Sequence, residues 1–123
     1  MVLQCIDVFV TLAAPNLKIL VQFYTELFGI QPQSLIPNVY AEFQLPGLKL
    51  GIFKPKATQI EEFVSEAKTG ISLCLEVVNL DSAIATLSAL GYPPLGEILT
   101  ASHGREIYAY DPLGNRLILH QSL

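Results

Sequence analysis

Apolar and polar residues alternate with a period of two from Cys5 to Leu12, Ile6, Val8, Val10 and Leu12 facing one way and Asp7, Phe9 and Thr11 the other. That pattern predicts a strand. After Pro15 the period lengthens: Leu17, Leu20, Phe23/Tyr24 and Leu27/Phe28 recur at helical spacing, with Asn16 placed as an N-cap and Gly29 as a stop. Two further alternating runs, Val39–Leu45 and Leu48–Phe53, flank Pro46-Gly47 in the order a type II turn requires, so they predict a hairpin. Ile30–Pro37 is apolar but carries two prolines, which confines any strand there to a sheet edge. Thr58-Gln59-Ile60-Glu61 matches a capping box, and Ile60, Phe63/Val64 and Ala67 then give a short amphipathic linker helix over about residues 58–68.

The opening pattern then returns. Ile71 to Val78 sets Ile71, Leu73, Leu75 and Val77 against Ser72, Cys74 and Glu76; Asn79 caps a helix over Leu80–Leu90, and Gly91 stops it. Phe9 precedes Asn16 by the same distance as Ser72 precedes Asn79, which marks an internal duplication with an offset of 63 residues (79 − 16). Asp111-Pro112-Leu113-Gly114 has a capping Asp, a Pro that fixes φ and a Gly able to take a left-handed conformation, so it predicts a turn joining Arg105–Tyr110 to Asn115–Gln121. One strand-helix-strand-strand-strand unit, written twice, is the predicted architecture. It places module one at about 1–54 and module two at about 70–122 of a single α+β domain.

Each predicted strand has one nearly pure aliphatic face. The opposite faces carry Asp7, Phe9 and Thr11; Tyr40, Glu42 and Gln44; and Lys49, Gly51 and Phe53. In the second half they carry Ser72, Cys74 and Glu76; Glu106, Tyr108 and Tyr110; and Arg116, Ile118 and His120. This polar, aromatic and net acidic surface is expected to line a cleft for a small ligand, because so many aromatic rings are costly to leave bare together. The plainer expectation is the solvated side of an antiparallel sheet.

Composition narrows the partners. Of 123 residues 51% are hydrophobic and 15% charged, which excludes disorder and allows for a surface buried against a second copy. A net charge of −4 without any Lys/Arg cluster excludes nucleic acid, whose phosphates demand cations. Cys5 and Cys74 form no CxxC pair and no disulfide framework. Met1–Asp7 has no basic leader pattern, and the longest uncharged stretches are broken by proline or glycine, so a cytoplasmic, membrane-free protein is expected. No Ser-His-Asp arrangement, phosphate loop or dinucleotide fingerprint is present. Cys74 reads as a buried structural cysteine, since no fixed cation near it would hold a thiolate. His103 falls in a loop beside Gly104, and His120 lies three residues from the last position.

Three motifs resemble the vicinal oxygen chelate superfamily of glyoxalases, bleomycin-resistance proteins and extradiol dioxygenases. They are Asn16-Leu17…Phe23-Tyr24…Leu27-Phe28-Gly29; Glu76-Val77…Asn79-Leu80…Leu90-Gly91; and Gly104-Arg105…Tyr110-Asp111-Pro112-Leu113-Gly114-Asn115. The resemblance implies paired βαβββ modules forming curved mixed sheets around a cleft, with helices on the outer faces. It also implies a homodimer with sites shared between subunits.

Metal-dependent relatives hold a divalent ion with four side chains, His, Glu, His and Glu in typical glyoxalases. Carried over by spacing, those positions are Phe9, Gly51 (or Ile52), Ser72 and Ile118, none of which is a good ligand. The resemblance therefore implies no metal and no cofactor, and a small-molecule-binding protein akin to the bleomycin-resistance members. The cleft residues are Asp7, Phe9, Tyr40, Glu42, Phe53, Ser72, Cys74, Glu76, Glu106, Tyr108, Tyr110, Ile118 and His120. The alternative is a lyase, isomerase or dioxygenase-like enzyme with a displaced metal set of Asp7, Glu42, Glu76 and His120, or a metal-free one using Glu76 or Asp7 as acid or base.

Overall fold

The structure, a computed structural model, describes residues 2–63 and 69–123. The chain divides into two compact units, one around each of two four-stranded sheets. The first contains β1 (Val10–Ala13), α1 (Leu17–Phe28), β2 (Ser34–Ile36), β3 (Tyr40–Leu45) and β4 (Leu48–Phe53), in the sheet order β1-β4-β3-β2. A 3-10 turn (Ala57–Gln59) and α2 (Ile60–Phe63) follow. The second unit repeats the plan with β5 (Leu73–Glu76), α3 (Leu80–Ala89), β6 (Leu99–Ala101), β7 (Gly104–Tyr110) and β8 (Arg116–Ser122), in the order β5-β8-β7-β6. In each sheet the outer pair β1–β4 or β5–β8 is parallel and the other pairs are antiparallel. The chain is thus α+β with two open mixed sheets, as the duplicated pattern implied.

The period-two alternation decides which face is buried. In the first sheet Ala41, Phe43, Leu50 and Ile52 are fully buried, and so is the stripe of α1 formed by Leu17, Leu20, Phe23 and Tyr24. In the second, Ile107, Ala109, Leu117 and Leu119 play that part, with Leu80 and Leu87 of α3, which packs on β8. Each such aliphatic side chain removed from water contributes about 1.5–3 kcal/mol, so these faces hold the sheets to their register. The caps repeat as well: Asn16 Oδ1 accepts the Ile19 amide at 3.4 Å and Asn79 Oδ1 the Ser82 amide at 2.8 Å. The Asp111 turn is tied most tightly, its buried carboxylate accepting from the Leu113 amide (2.9 Å), the Asn115 amide (3.0 Å) and the Asn115 side chain (2.8 Å).

Several boundaries differ from the sequence pattern. The strand expected over Cys5–Leu12 is only Val10–Ala13, and Ile6 and Val8 are bare to solvent. Its sole neighbour accounts for the loss of residues 6 and 7, which in the register Val10↔Leu50 would lie beside Pro46-Gly47, where β4 has already turned away. Val8 and Phe9, opposite Leu48 and Lys49, are also outside the strand. The run Ile71–Val78 shortens to Leu73–Glu76; at its start residue 71 would meet Asn115, inside the Asp111 turn, in the register Leu73↔Leu117. Thr58 lies within the 3-10 turn and does not cap a helix. The rest of the expected linker helix, including Val64 and Ala67, falls outside the described residues. β6 had no period-two signal because it is three residues long.

Candidate functional site

The open face of the first sheet is organised around a glycine. Thr11, Gly51, Glu42 and Ser34 form one row across the four strands, and Ala13, Phe53, Tyr40 and Ile36 the next. Gly51 shares the face of Thr11 and Glu42, whereas Ile52 points to the opposite, core face, where it is fully buried. The Tyr40 ring lies over Gly51 so closely that a Cβ there would come 2.7 Å from the Tyr40 hydroxyl. That hydroxyl donates to Glu42 Oε1 at 2.9 Å, and burial followed by the Glu42 charge pushes the phenol above its ordinary pKa. Phe53 meets Phe63 edge to face at 5.1 Å. Asp7 and Phe9 precede β1 instead of standing on a strand face; Lys49 Nζ sits 5.1 Å from the Phe9 ring centre and 3.5 Å from Asp7 Oδ2.

The second sheet's open face is built on the same rows with different chemistry. Cys74, Ile118 and Tyr108 form one row, and Glu76, His120, Glu106 and Leu99 the next. Arg116 donates from one guanidinium nitrogen to Ser72 Oγ at 3.2 Å and from the other to the Thr69 carbonyl at 2.7 Å. Cys74 is exposed on this open face, not buried as the sequence led one to expect. Partial desolvation, then the negative charges of Glu76 and Glu106, pushes its thiol up, so it is a poor nucleophile near neutral pH. Tyr108 and Tyr110 are left about two-fifths exposed, at 44% and 40%.

The most connected group is Glu76–His120–His103. Glu76 Oε1 lies 2.7 Å from His120 Nδ1, and its Oε2 accepts from the Ser122 amide (3.0 Å) and hydroxyl (3.2 Å). The His120 bond, with those from Ser122, holds the Glu76 carboxyl below its ordinary range. On the far side of the ring, His120 Nε2 lies 3.0 Å from His103 Nδ1, with the two ring planes 27° apart. His120 is therefore not a bare terminal residue: only 14% of its side chain is exposed. His103, passed over in the sequence as a loop residue, is brought here by the two-residue turn between β6 and β7; the Ser-His-Gly run at 102–104 was its only signal.

A divalent ion in the manner of the metal-dependent glyoxalases does not fit these residues. Phe9, Gly51 and Ile118 carry no donor; Tyr40 fills the space at Gly51; and cationic Lys49 and Arg116 stand against Phe9 and Ser72, where a second positive charge is repelled. Of the displaced set Asp7, Glu42, Glu76 and His120, only Glu76 and His120 bond to each other, Asp7 being paired with Lys49 and Glu42 with Tyr40. Among the described residues no three His, Cys, Asp or Glu side chains gather as a metal site would need.

No protein-family profile matches the chain, and no curated protein sequence matches it. Solved structures do. A solution structure of an Agrobacterium tumefaciens protein is similar over 94% of this chain and 95% of its own, at 28% identity and a TM-score of 0.75. A glyoxalase-related enzyme from Fulvimarina pelagi is 24% identical over 98% of this chain and 89% of its own, with a TM-score of 0.74. A glyoxalase/bleomycin resistance protein/dioxygenase from Nocardioides is 24% identical over 99% and 87%, with a TM-score of 0.69. Near-complete coverage in both directions, on top of the three motifs, makes this the fold of the vicinal oxygen chelate superfamily.

Proposed function

We propose that the chain binds a small organic molecule on its open sheet faces, and does so without the divalent ion of the metal-dependent glyoxalases. What supports this is the Tyr40 ring seated over Gly51, a position that the resemblance aligns with a ligand of the metal-dependent relatives. The first sheet's open face, with half-buried Tyr40 and Phe53 beside Glu42, supplies apolar contact and an orienting polar group of the kind such a ligand requires. The second sheet's, with exposed Tyr108 beside Glu106, does so separately. Elemental analysis of protein purified without chelators or a histidine tag is expected to give less than about a tenth of an equivalent of any transition metal. Near one equivalent would overturn this reading in favour of a metal-dependent enzyme.

Assembly as a homodimer belongs to the same proposal. Val2, Leu3, Ile6 and Val8 are each more than four-fifths exposed, an apolar stretch that a second copy would cover. Light scattering is expected to return twice the chain mass of 13.5 kDa. No described helix is long and apolar enough to cross a membrane.

A further inference from the structure

A carboxylate, an imidazole and a second imidazole stand hydrogen-bonded in series at one end of the second sheet. We propose that Glu76, His120 and His103 form a proton relay that makes His103 Nε2 a general base toward water or a neutral or cationic hydroxyl compound. An ionised Glu76 can only accept, so at 2.7 Å His120 must carry its proton on Nδ1, and a neutral ring then offers the Nε2 lone pair. His103, 3.0 Å from that lone pair, must donate from Nδ1, which leaves its own Nε2 unprotonated on an exposed residue. The hydrogen bonds from His120 and Ser122 hold the Glu76 carboxyl below its ordinary range, so it stays an ionised acceptor at neutral pH.

The local backbone is shaped to close this contact. Gly104 has φ +152°, and a Cβ on it would press on the Gln121 carbonyl and come 2.9 Å from His120 Nε2, so the turn bearing His103 reaches His120 only because residue 104 has no side chain. Glu106 stands opposite His120 in the ladder, so Glu76 and Glu106 flank the ring and disfavour anionic substrates. In the proton transfer, the O–H bond breaks, its electron pair stays on oxygen, and the proton bonds to His103 Nε2. The positive charge that results is stabilised by Glu76 through His120. His103 is the candidate catalytic residue; His120 and Glu76 position it, as an orienting carboxylate does in nucleophile–base–acid arrays.

The test uses the full chain with 15N-labelled histidine and two neutral probes. Nitrogen shifts at a pH where both rings are neutral are expected to report the Nδ1–H tautomer for both histidines. Diethyl pyrocarbonate is expected to acylate His103 at Nε2, losing ethanol and carbon dioxide, and Glu76→Gln to slow that reaction at least about threefold relative to N-acetylhistidine in the same tube. Hydrolysis of p-nitrophenyl acetate, in which water is the hydroxyl compound, is expected to fall about tenfold in His103→Gln. An Nε2–H tautomer at His103, equal acylation in wild type and Glu76→Gln, or unchanged ester hydrolysis each overturns the relay. The tautomer measurement needs no variant, so a Glu76→Gln protein that fails to fold still leaves the proposal decided.

Discussion

Two equivalent rows make the sharpest comparison between the halves of the chain. Ala13, Phe53, Tyr40 and Ile36 lie side by side in the first sheet; Glu76, His120, Glu106 and Leu99 occupy the same places in the second. One row is aromatic and apolar with a single hydroxyl, the other holds three ionisable groups. The difference continues into the hairpins. Between Ile36 and its partner Tyr40 the chain spends three residues (37–39), whereas between Leu99 and its partner Glu106 it spends six (100–105). Both ladders have three pairs, but the longer connection carries the β6–β7 ladder two pairs beyond this row and ends in the turn that bears His103. A duplicated scaffold has thus kept its buried faces and diverged on its open ones, where packing imposes little.

Replacing the two tightly approached glycines separates the halves most strongly. Gly104→Ala is expected to cost about 3 kcal/mol in urea unfolding, because its Cβ meets backbone at Gln121 and its φ of +152° is strained for an L side chain. Gly51→Ala is expected to cost only about 1 kcal/mol, since its Cβ meets a Tyr40 ring that can swing aside. Equal costs would mean that the ring over Gly51 is as fixed as backbone. Asp111→Ala comes next, at about 2 kcal/mol, because three donors lose a buried acceptor; a loss below about 0.5 kcal/mol would show that the turn is held by Pro112 and Gly114 alone.

Acid titration of stability probes the ionisable row. The Glu76 carboxyl is depressed in the folded protein, so its contribution is complete above the ordinary carboxylate range near about pH 4.3 and is lost as pH falls below that range through the folded value. Glu76→Gln is expected to flatten this acid limb, which Glu42→Gln in the first sheet leaves in place. The smallest effect is on Cys74: its alkylation by iodoacetamide is expected to be slower than that of free cysteine at pH 8, and about twofold faster once Glu106→Gln removes a negative charge.

What was legible in the sequence follows the same division. Period-two alternation told Gly51's face from that of Phe43 and Leu50, because burial writes itself into composition. The caps at Asn16 and Asn79 and the turn at Asp111 were legible because backbone donors there require those side chains. The starts of β1 and β5 were not, since alternation continues through Ile6 and Ile71 while the neighbouring strand, far away in sequence, has already turned. Nor was the partner of His120. Its bond to Glu76 spans 44 residues and its bond to His103 spans 17, and both depend on strand register, which no local pattern records.

The parallel placement of β1 and β5 also bears on the order in which the protein assembles. Each antiparallel hairpin, β3–β4 or β7–β8, closes across a turn of a few residues, but Val10 reaches Leu50 and Leu73 reaches Leu117 only after loops of 40 (50 − 10) and 44 (117 − 73) residues have been closed. The entropy of closing those loops places the hairpins first and the leading strand of each unit last. In hydrogen exchange the amides of β7 and β8 therefore outlast those of β1 and β5, and opening of the protein begins where each repeat of the sequence begins.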